Sequence, residues 1–203
     1  MQMFPMKLST LAGIVGSDGH LSKSESAVIV VNKDKEFLDK EVIPIMESLT
    51  GKKASVSRTT SGYGGKKYLV RIWDKELQSK LNRNYGIPRG KKTSVKLPNL
   101  PSKEILDFML GWIAGDGSVT TDRGRPKIEI WSKDAGIIRK FERFLSRKKI
   151  GSTVFKASND RFILRIGKFE DVRKFSRYRI PHPAKARKLK GLLALTDAGF
   201  STS

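Results

Sequence analysis

Apolar and polar positions follow two different periods along this chain. In EFLDKEVIPIMESL (36–49) and AGIIRKFERFLS (135–146) the apolar residues recur every three or four positions, which predicts helices with one buried face. In YLVRIW, PKIEIWSK and RFILRI they alternate or are β-branched, which predicts strands. Two further apolar helical stretches, LAGIVGSDG (11–19) and MLGWIAGDG (109–117), each stop at an aspartate followed by glycine. One such ending is an ordinary helix stop or turn. Two of them call for an alignment.

Laying residue 11 against residue 109 matches Gly13 with Gly111, Asp18 with Asp116 and Gly19 with Gly117. The correspondence continues in the same order: VVNKD (30–34) with IWSKD (130–134), LTGKKASV (49–56) with RKKIGSTV (147–154), YLVRIWDKEL (68–77) with FILRIGKFEDV (162–172), and YGIPRGKK (85–92) with YRIPHPAKARK (178–188). The chain is therefore read as a duplication. Each half runs helix, two strands, helix, two strands, short helix, so the expected fold is α+β, with duplicated αββαββα halves and two antiparallel four-stranded sheets. The expected boundaries are 1–93 for the first half, 94–103 (SVKLPNLPSK, with two prolines) for a linker, 104–195 for the second half and 196–203 for a flexible tail.

Small residues four apart, Ala12 with Gly16, Gly13 with Ser17 and Gly111 with Gly115, share a helix face. Glycine inside a helix costs about 1 kcal/mol against alanine, so several of them imply a compensating close approach. The two motif helices are expected to pack together. Parallel packing about a pseudo-twofold axis would bring Asp18 and Asp116 together at the C-terminal ends, where helix carbonyls add negative potential. A divalent cation would relieve that repulsion, and Mg²⁺ suits it because it takes one or two carboxylates together with water and phosphate oxygens. Such a site can activate water and stabilise the leaving oxygen of a phosphodiester. Two unrelated helix ends are the plain alternative.

Charge points the same way. The 203 residues carry 41 Lys and Arg against 20 Asp and Glu, a formal +21, which calls for a polyanionic partner. No stretch approaches the roughly 20 apolar residues of a membrane span, and the start lacks a secretory pattern, so the expected location is intracellular, in the cytoplasm. With no cysteine there are no disulfides or thiolate metal sites. The only histidines, His20 and His182, are read as loop residues. Any catalysis must use carboxylates, lysines and a metal.

On these residues the chain resembles a single-chain, double-motif LAGLIDADG homing endonuclease of the intron-encoded, archaeal-like type, over nearly its whole length. The first copy shares five of the nine motif letters and the second four, with Gly16 and Ala114 in place of the inner aspartate. The resemblance implies a DNA-binding saddle of two sheets over the major groove, and cleavage across the minor groove leaving short 3′ overhangs. It implies a monomer acting on a long, partly symmetric duplex, with Mg²⁺ or another divalent cation such as Mn²⁺ held at Asp18 and Asp116 together with Ser17 and Gly115. It also transfers the role of organising solvent around the scissile phosphates to Asn32 and Lys33 in one half, and to Ser132 and Lys133 in the other. Lys91 or Lys92 occupies a second basic position, with Lys185 or Arg187 as its counterpart. Plain phosphate contact would account for these lysines equally well.

DNA contacts are expected from one face of each strand, because side chains alternate. In the second half that set is Lys127, Glu129 and Trp131, with Arg161 and Arg165 and the nearby Lys156. Arg71 and Arg58 are the first-half candidates, and Arg123 and Arg125 lie in a hairpin tip positioned for phosphates. Arg can read guanine and Glu can accept from cytosine. Three readings compete with a nuclease: an RNA splicing maturase with intron RNA as partner, a catalytically inactive DNA-binding regulator, and a structural chromatin or ribosomal protein. Retention of both Asp18 and Asp116 favours the nuclease.

Overall fold

The computed structural model describes residues 8–60, 65–90, 94–157 and 160–200. The chain divides into two compact units, residues 1–115 and 116–203. In the first, α1 (Leu8–Asp18) leads into β1 (Gly19–Leu21) and β2 (Ala27–Asn32). A helical segment follows, made of α2 (Lys35–Phe37), a π-helical turn (Leu38–Val42) and α3 (Ile43–Thr50), and then β3 (Ser55–Thr60), β4 (Lys66–Trp73) and α4 (Lys75–Tyr85). The second motif helix, α5 (Ser102–Asp116), ends at the boundary. The second unit holds β5 (Gly117–Asp122), β6 (Arg125–Ser132), α6 (Ala135–Arg147), β7 (Thr153–Lys156), β8 (Phe162–Ile166), α7 (Phe169–Phe175) and α8 (Pro183–Phe200).

Both sheets are antiparallel and four-stranded, ordered β1-β2-β4-β3 and β5-β6-β8-β7. The repeat persists in the register: Gly19 pairs with Val30 and Gly117 with Ile130, while Arg71 pairs with Ser55 and Arg165 with Thr153. Alternation decides the faces. Val28, Val30, Val70 and Ile72 are buried beneath the first sheet, in one core with Leu11, Ile14 and Val15 of α1 and Phe37 and Met46 of the helical segment. Beneath the second sheet the core holds Ile128, Ile130, Leu164 and Ile166 with Ile138, Phe141 and Leu145 of α6 and Phe175 of α7.

The helix expected over 36–49 is interrupted by the π-helical turn, and its repeat-equivalent α6 is not. Pro44 explains the difference. It has no N–H to offer the carbonyl four residues back, and its ring crowds that carbonyl, so the turn ahead of it widens. Asp34, Asp74 and Asp134 are extended N-cap residues whose carboxylates accept the backbone N–H of Phe37, Leu77 and Gly136. Residues 94–101 have no regular structure, yet Val95 and Leu97 are buried, and the Lys96 N–H donates to Gly86 O at 3.2 Å. The stretch expected as a linker thus packs into the first unit. α8 continues to Phe200, into the stretch expected as a tail. His20 sits within β1 rather than in a loop. No helix among the described residues is long and apolar enough to cross a membrane.

Candidate active site

The glycines of α1 and α5 account for how the motif ends are positioned. A Cβ added to Gly13 would lie 2.0 Å from Phe108 O, and one added to Gly111 would lie 2.1 Å from Thr10 O. A Cβ added to Gly16 would lie 2.9 Å from the Trp112 ring, and one added to Gly115 would lie 2.0 Å from Ser17 Oγ. Residue numbers rise together on both helices along this contact, so α1 and α5 run parallel, backbone against backbone, as the spacing of small residues predicts. Flanking contacts hold α5 in place. Tyr85, at the end of α4, stacks on Phe108 with ring centroids 6.1 Å apart and donates from its hydroxyl to Glu104 at 3.0 Å. Burial, aided by Glu104, pushes the Tyr85 phenol well above its ordinary pKa, so it stays a neutral donor.

Asp18 closes α1, and Asp116 closes α5. The Asn32 amide donates to Asp18 Oδ2, while Asn32 Oδ1 accepts the Asp34 N–H at 2.8 Å. The second bond fixes which end of the amide faces Asp18, so Asn32 orients a carboxylate that stands at the negative end of a helix. In the second half Ser132 Oγ accepts the Asp134 N–H at 2.9 Å, which repeats the turn but not the amide. Lys33 and Lys133 project into solvent from these matching turns. Ser17 is only 4% exposed, and its hydroxyl donates back to Gly13 O or Ile14 O at 3.0 Å, so its backbone carbonyl is what it can offer a cation. Gly115 likewise has only its carbonyl.

These donors suit a hard divalent cation. The oxygens are carboxylate and helix-end carbonyl, with no thiolate or imidazole required. Among the described residues no group of three or more His, Asp or Glu could hold a metal by itself.

The open face of the second sheet gathers several of the expected contact residues. Arg123 and Gly124, both with positive φ (48° and 81°), make a tight two-residue turn between β5 and β6. Arg123, Arg125, Lys127 and Arg165 line one open depression of about 430 Å³ together with Asp122 and Gly167. Glu129 is 7% exposed and already engaged. Its Oε1 accepts from Arg165 Nε at 2.8 Å and Nη2 at 2.7 Å and lies 3.4 Å from Lys127 Nζ. Arg165 lies over the Phe155 ring at 4.9 Å. In this structure Glu129 orients an arginine, a role the alternation pattern did not suggest. The signal available was the cross-strand pairing of Glu129 with Arg165.

Other expected residues lie elsewhere. Arg71 shares the open face of the first sheet with Trp73, stacked at 5.4 Å, and pairs with Glu25 at 3.2 Å. Arg58 pairs with Tyr68 and so falls on the Val70 face, not the Arg71 face. Lys156 likewise alternates with Val154, is opposite Phe162, and pairs with Asp160 at 2.7 Å. Arg161 precedes β8, and Trp131 is level with Ile163 on the open face. Lys185 and Arg187 are in the first turns of α8. Lys91 and Lys92 lie outside the described residues.

Comparison with known proteins agrees with this architecture. The family model of the LAGLIDADG-like domain matches residues 103–178. No protein of curated function matches by sequence. Among solved structures, mesophilic variants of the homing endonuclease I-DmoI are 16% identical with a TM-score of 0.64, the match covering 91% of this chain and 96% of theirs. The homing endonuclease I-WcaI bound to its DNA recognition sequence is 12% identical with a TM-score of 0.65, covering 93% and 88%. The N-terminal LAGLIDADG domain of DUF199/WhiA is 15% identical with a TM-score of 0.56, covering 83% and 78%. I-DmoI structures include complexes with DNA and Ca and with DNA and Mn. Residues 103–178 thus resemble a LAGLIDADG-like domain, and the chain as a whole shares the duplicated α+β fold of the solved homing endonucleases I-DmoI and I-WcaI.

Proposed function

We propose that this chain is a site-specific endonuclease that hydrolyses both strands of a long, partly symmetric DNA duplex with the help of a divalent cation, Mg²⁺ in the first instance, and leaves short 3′ overhangs. The observation that carries the reading is the backbone-to-backbone packing of α1 and α5 through Gly13 and Gly111, two helices that each end in an aspartate. A helix pair that gives up side chains to come so close, each helix ending in an aspartate, suits holding cations against phosphate in a chain of charge +21.

Asp18 and Asp116 would hold the metal, with the Ser17 and Gly115 carbonyls beside them. When bound, a divalent cation lowers the pKa of an attacking water and stabilises the leaving oxygen. Asn32 keeps the Asp18 carboxylate aimed. Lys33 and Lys133, one residue past the strand ends, offset negative charge that builds on the phosphate in the transition state. Arg71 and Arg165 on the open faces, and Arg123, Arg125 and Lys127 near the β5–β6 turn, supply contacts to bases and backbone.

A binding site selected from random duplexes, or the joined exons flanking the reading frame if it lies in an intron, provides the substrate. The wild type should cut it in Mg²⁺, and Asp18→Asn with Asp116→Asn should abolish double-strand cleavage while specific binding persists. A folded double mutant cutting at the wild-type rate would defeat the assignment. Specific binding with no cleavage by the wild type would identify a regulator instead.

A further inference from the structure

The outer face of α6 carries charge that neither the proposed active site nor the open sheet faces use. Its buried residues Ile137, Ile138, Phe141, Phe144 and Leu145 pack toward the second sheet. Arg139, Arg143 and Arg147, at intervals of four, therefore form a stripe on the opposite side, and all three are exposed. Each step of four residues advances about 6 Å along the helix. Successive phosphates of one DNA strand are both raised and turned about the duplex axis, which sets them apart by a regular distance comparable with this step, so the stripe can meet consecutive ones.

Two comparisons with the first half separate this stripe from general basicity. The repeat-equivalent helical segment, Lys35–Thr50, has two lysines against four acidic residues, and both lysines are held by acids four residues away. The α6 helix has four basic residues and one glutamate, Glu142, which engages Arg139 at 3.0 Å. The helix ends differ too. In the first half the left-handed residue after the helix is Gly51 (φ 69°), and its counterpart in the second half is Lys149 (φ 56°). Left-handed backbone is unfavourable for lysine and free for glycine. Lys149 thus holds a backbone conformation that Gly51 adopts without strain. Lys149 lines an open depression of about 520 Å³ with Arg143 and Ser146, and its carbonyl accepts from Lys174 Nζ at 3.1 Å. Burial, together with the nearby Arg143 charge, lowers the Lys140 pKa, as expected where cations crowd.

We infer that the Arg139–Arg143–Arg147 stripe, with Lys149 at its end, is a second binding surface for duplex DNA. It is separated from the open face of the second sheet by that sheet and by the thickness of a helix, about 10–12 Å. A duplex lying on the open face therefore leaves the stripe available to another segment. Duplex DNA is the occupant because it supplies the regular line of phosphates that evenly spaced arginines match. The use of such a surface is transfer between DNA segments during the search for a target. The proposal relies on the nuclease reading only for the identity of the first duplex.

The test is dissociation of the full chain from a labelled target duplex as unlabelled non-specific duplex is increased, in Ca²⁺. For the wild type the dissociation rate should rise with competitor. For Arg139→Gln, Arg143→Gln, Arg147→Gln it should not, while target affinity and the cut pattern in Mg²⁺ stay unchanged. The salt slope for capture of a second duplex should fall by about 2.7, three phosphates at roughly 0.9 each. Lys149→Gly should weaken that capture while raising Tm by about 2–4 °C. Wild-type dissociation independent of competitor, a triple variant that keeps the dependence, or one that loses target affinity in equal measure, each overturns the inference. So does acceleration by competitor RNA alone. If the wild type binds its target and transfers between segments but does not cut, the nuclease reading fails and this one stands.

Discussion

Gly13→Ala tests the helix contact on which the active-site reading rests. The added methyl would stand 2.0 Å from Phe108 O and 2.7 Å from Trp112 N, against ordinary contacts of 3.4–4 Å, so α1 and α5 must separate by more than an ångström. The obstacles are backbone atoms and cannot rotate away. Overpacking of this kind costs about 3 kcal/mol or more. Alanine's better helix propensity returns about 1 kcal/mol, leaving a net loss of about 2 kcal/mol, or roughly 4–8 °C in Tm for a chain of this size. Gly191→Ala is the matched control, because Gly191 lies in α8 with nothing within 4 Å of its would-be Cβ. There the same substitution should stabilise by about 1 kcal/mol. Thermal melts followed by circular dichroism compare the two. A Gly13→Ala protein that melts at or above the wild type means the helices do not meet as described.

Removing the arginine in Arg165→Gln leaves the buried Glu129 with Lys127 alone, at a cost of about 2 kcal/mol. A double-mutant cycle with Glu129→Gln should show coupling of about 1–2 kcal/mol, and additivity would mean that the pair is not formed. At Asp74, burial raises the carboxyl pKa, but the Leu77 N–H and the Lys52 ammonium outweigh it, so the folded value lies below 3.8. A lowered folded pKa contributes stability above the unfolded value and loses it as pH falls through the folded one. Asp74→Ala should thus cost about 1 kcal/mol at neutral pH. Denaturation at descending pH should show the gap to wild type closing only below 3.8, and a constant gap would contradict the assignment.

The order of elements and the helix contact were legible because each rests on local rules: period, glycine spacing and two similar halves. What sequence could not supply was partnership across strands. Glu129 alternates with Lys127 and Trp131 and reads as outward, yet Arg165, on a strand 36 residues away, turns it into a buried partner. Arg58 and Arg71 look alike in sequence, and only the pairing of Arg58 with Tyr68 puts them on opposite faces. The π-helical turn before Pro44 was hidden by a hydrophobic pattern that a wider turn barely disturbs. The Asn32 link to Asp18 was half legible, since the repeat marks the turn while the hydrogen bond depends on how β2 ends beside α1.

The arginine positions show how duplication leaves geometry in place while chemistry diverges. Arg71 and Arg165 occupy the same register, each lies over an aromatic ring, and each has a carboxylate partner. The partner differs in origin. In the second half it is Glu129, across the pair on β6, with a side chain 9% exposed. In the first half that position is Ile29, and the carboxylate comes from Glu25 in the hairpin, 48% exposed. Buried Glu129 holds Arg165 in one direction with little competition from water, whereas exposed Glu25 holds Arg71 weakly. The two sheets therefore share a frame but do not present equally fixed arginines, and a chain that reads DNA with both would place stricter demands on the half-site facing Arg165 than on the one facing Arg71.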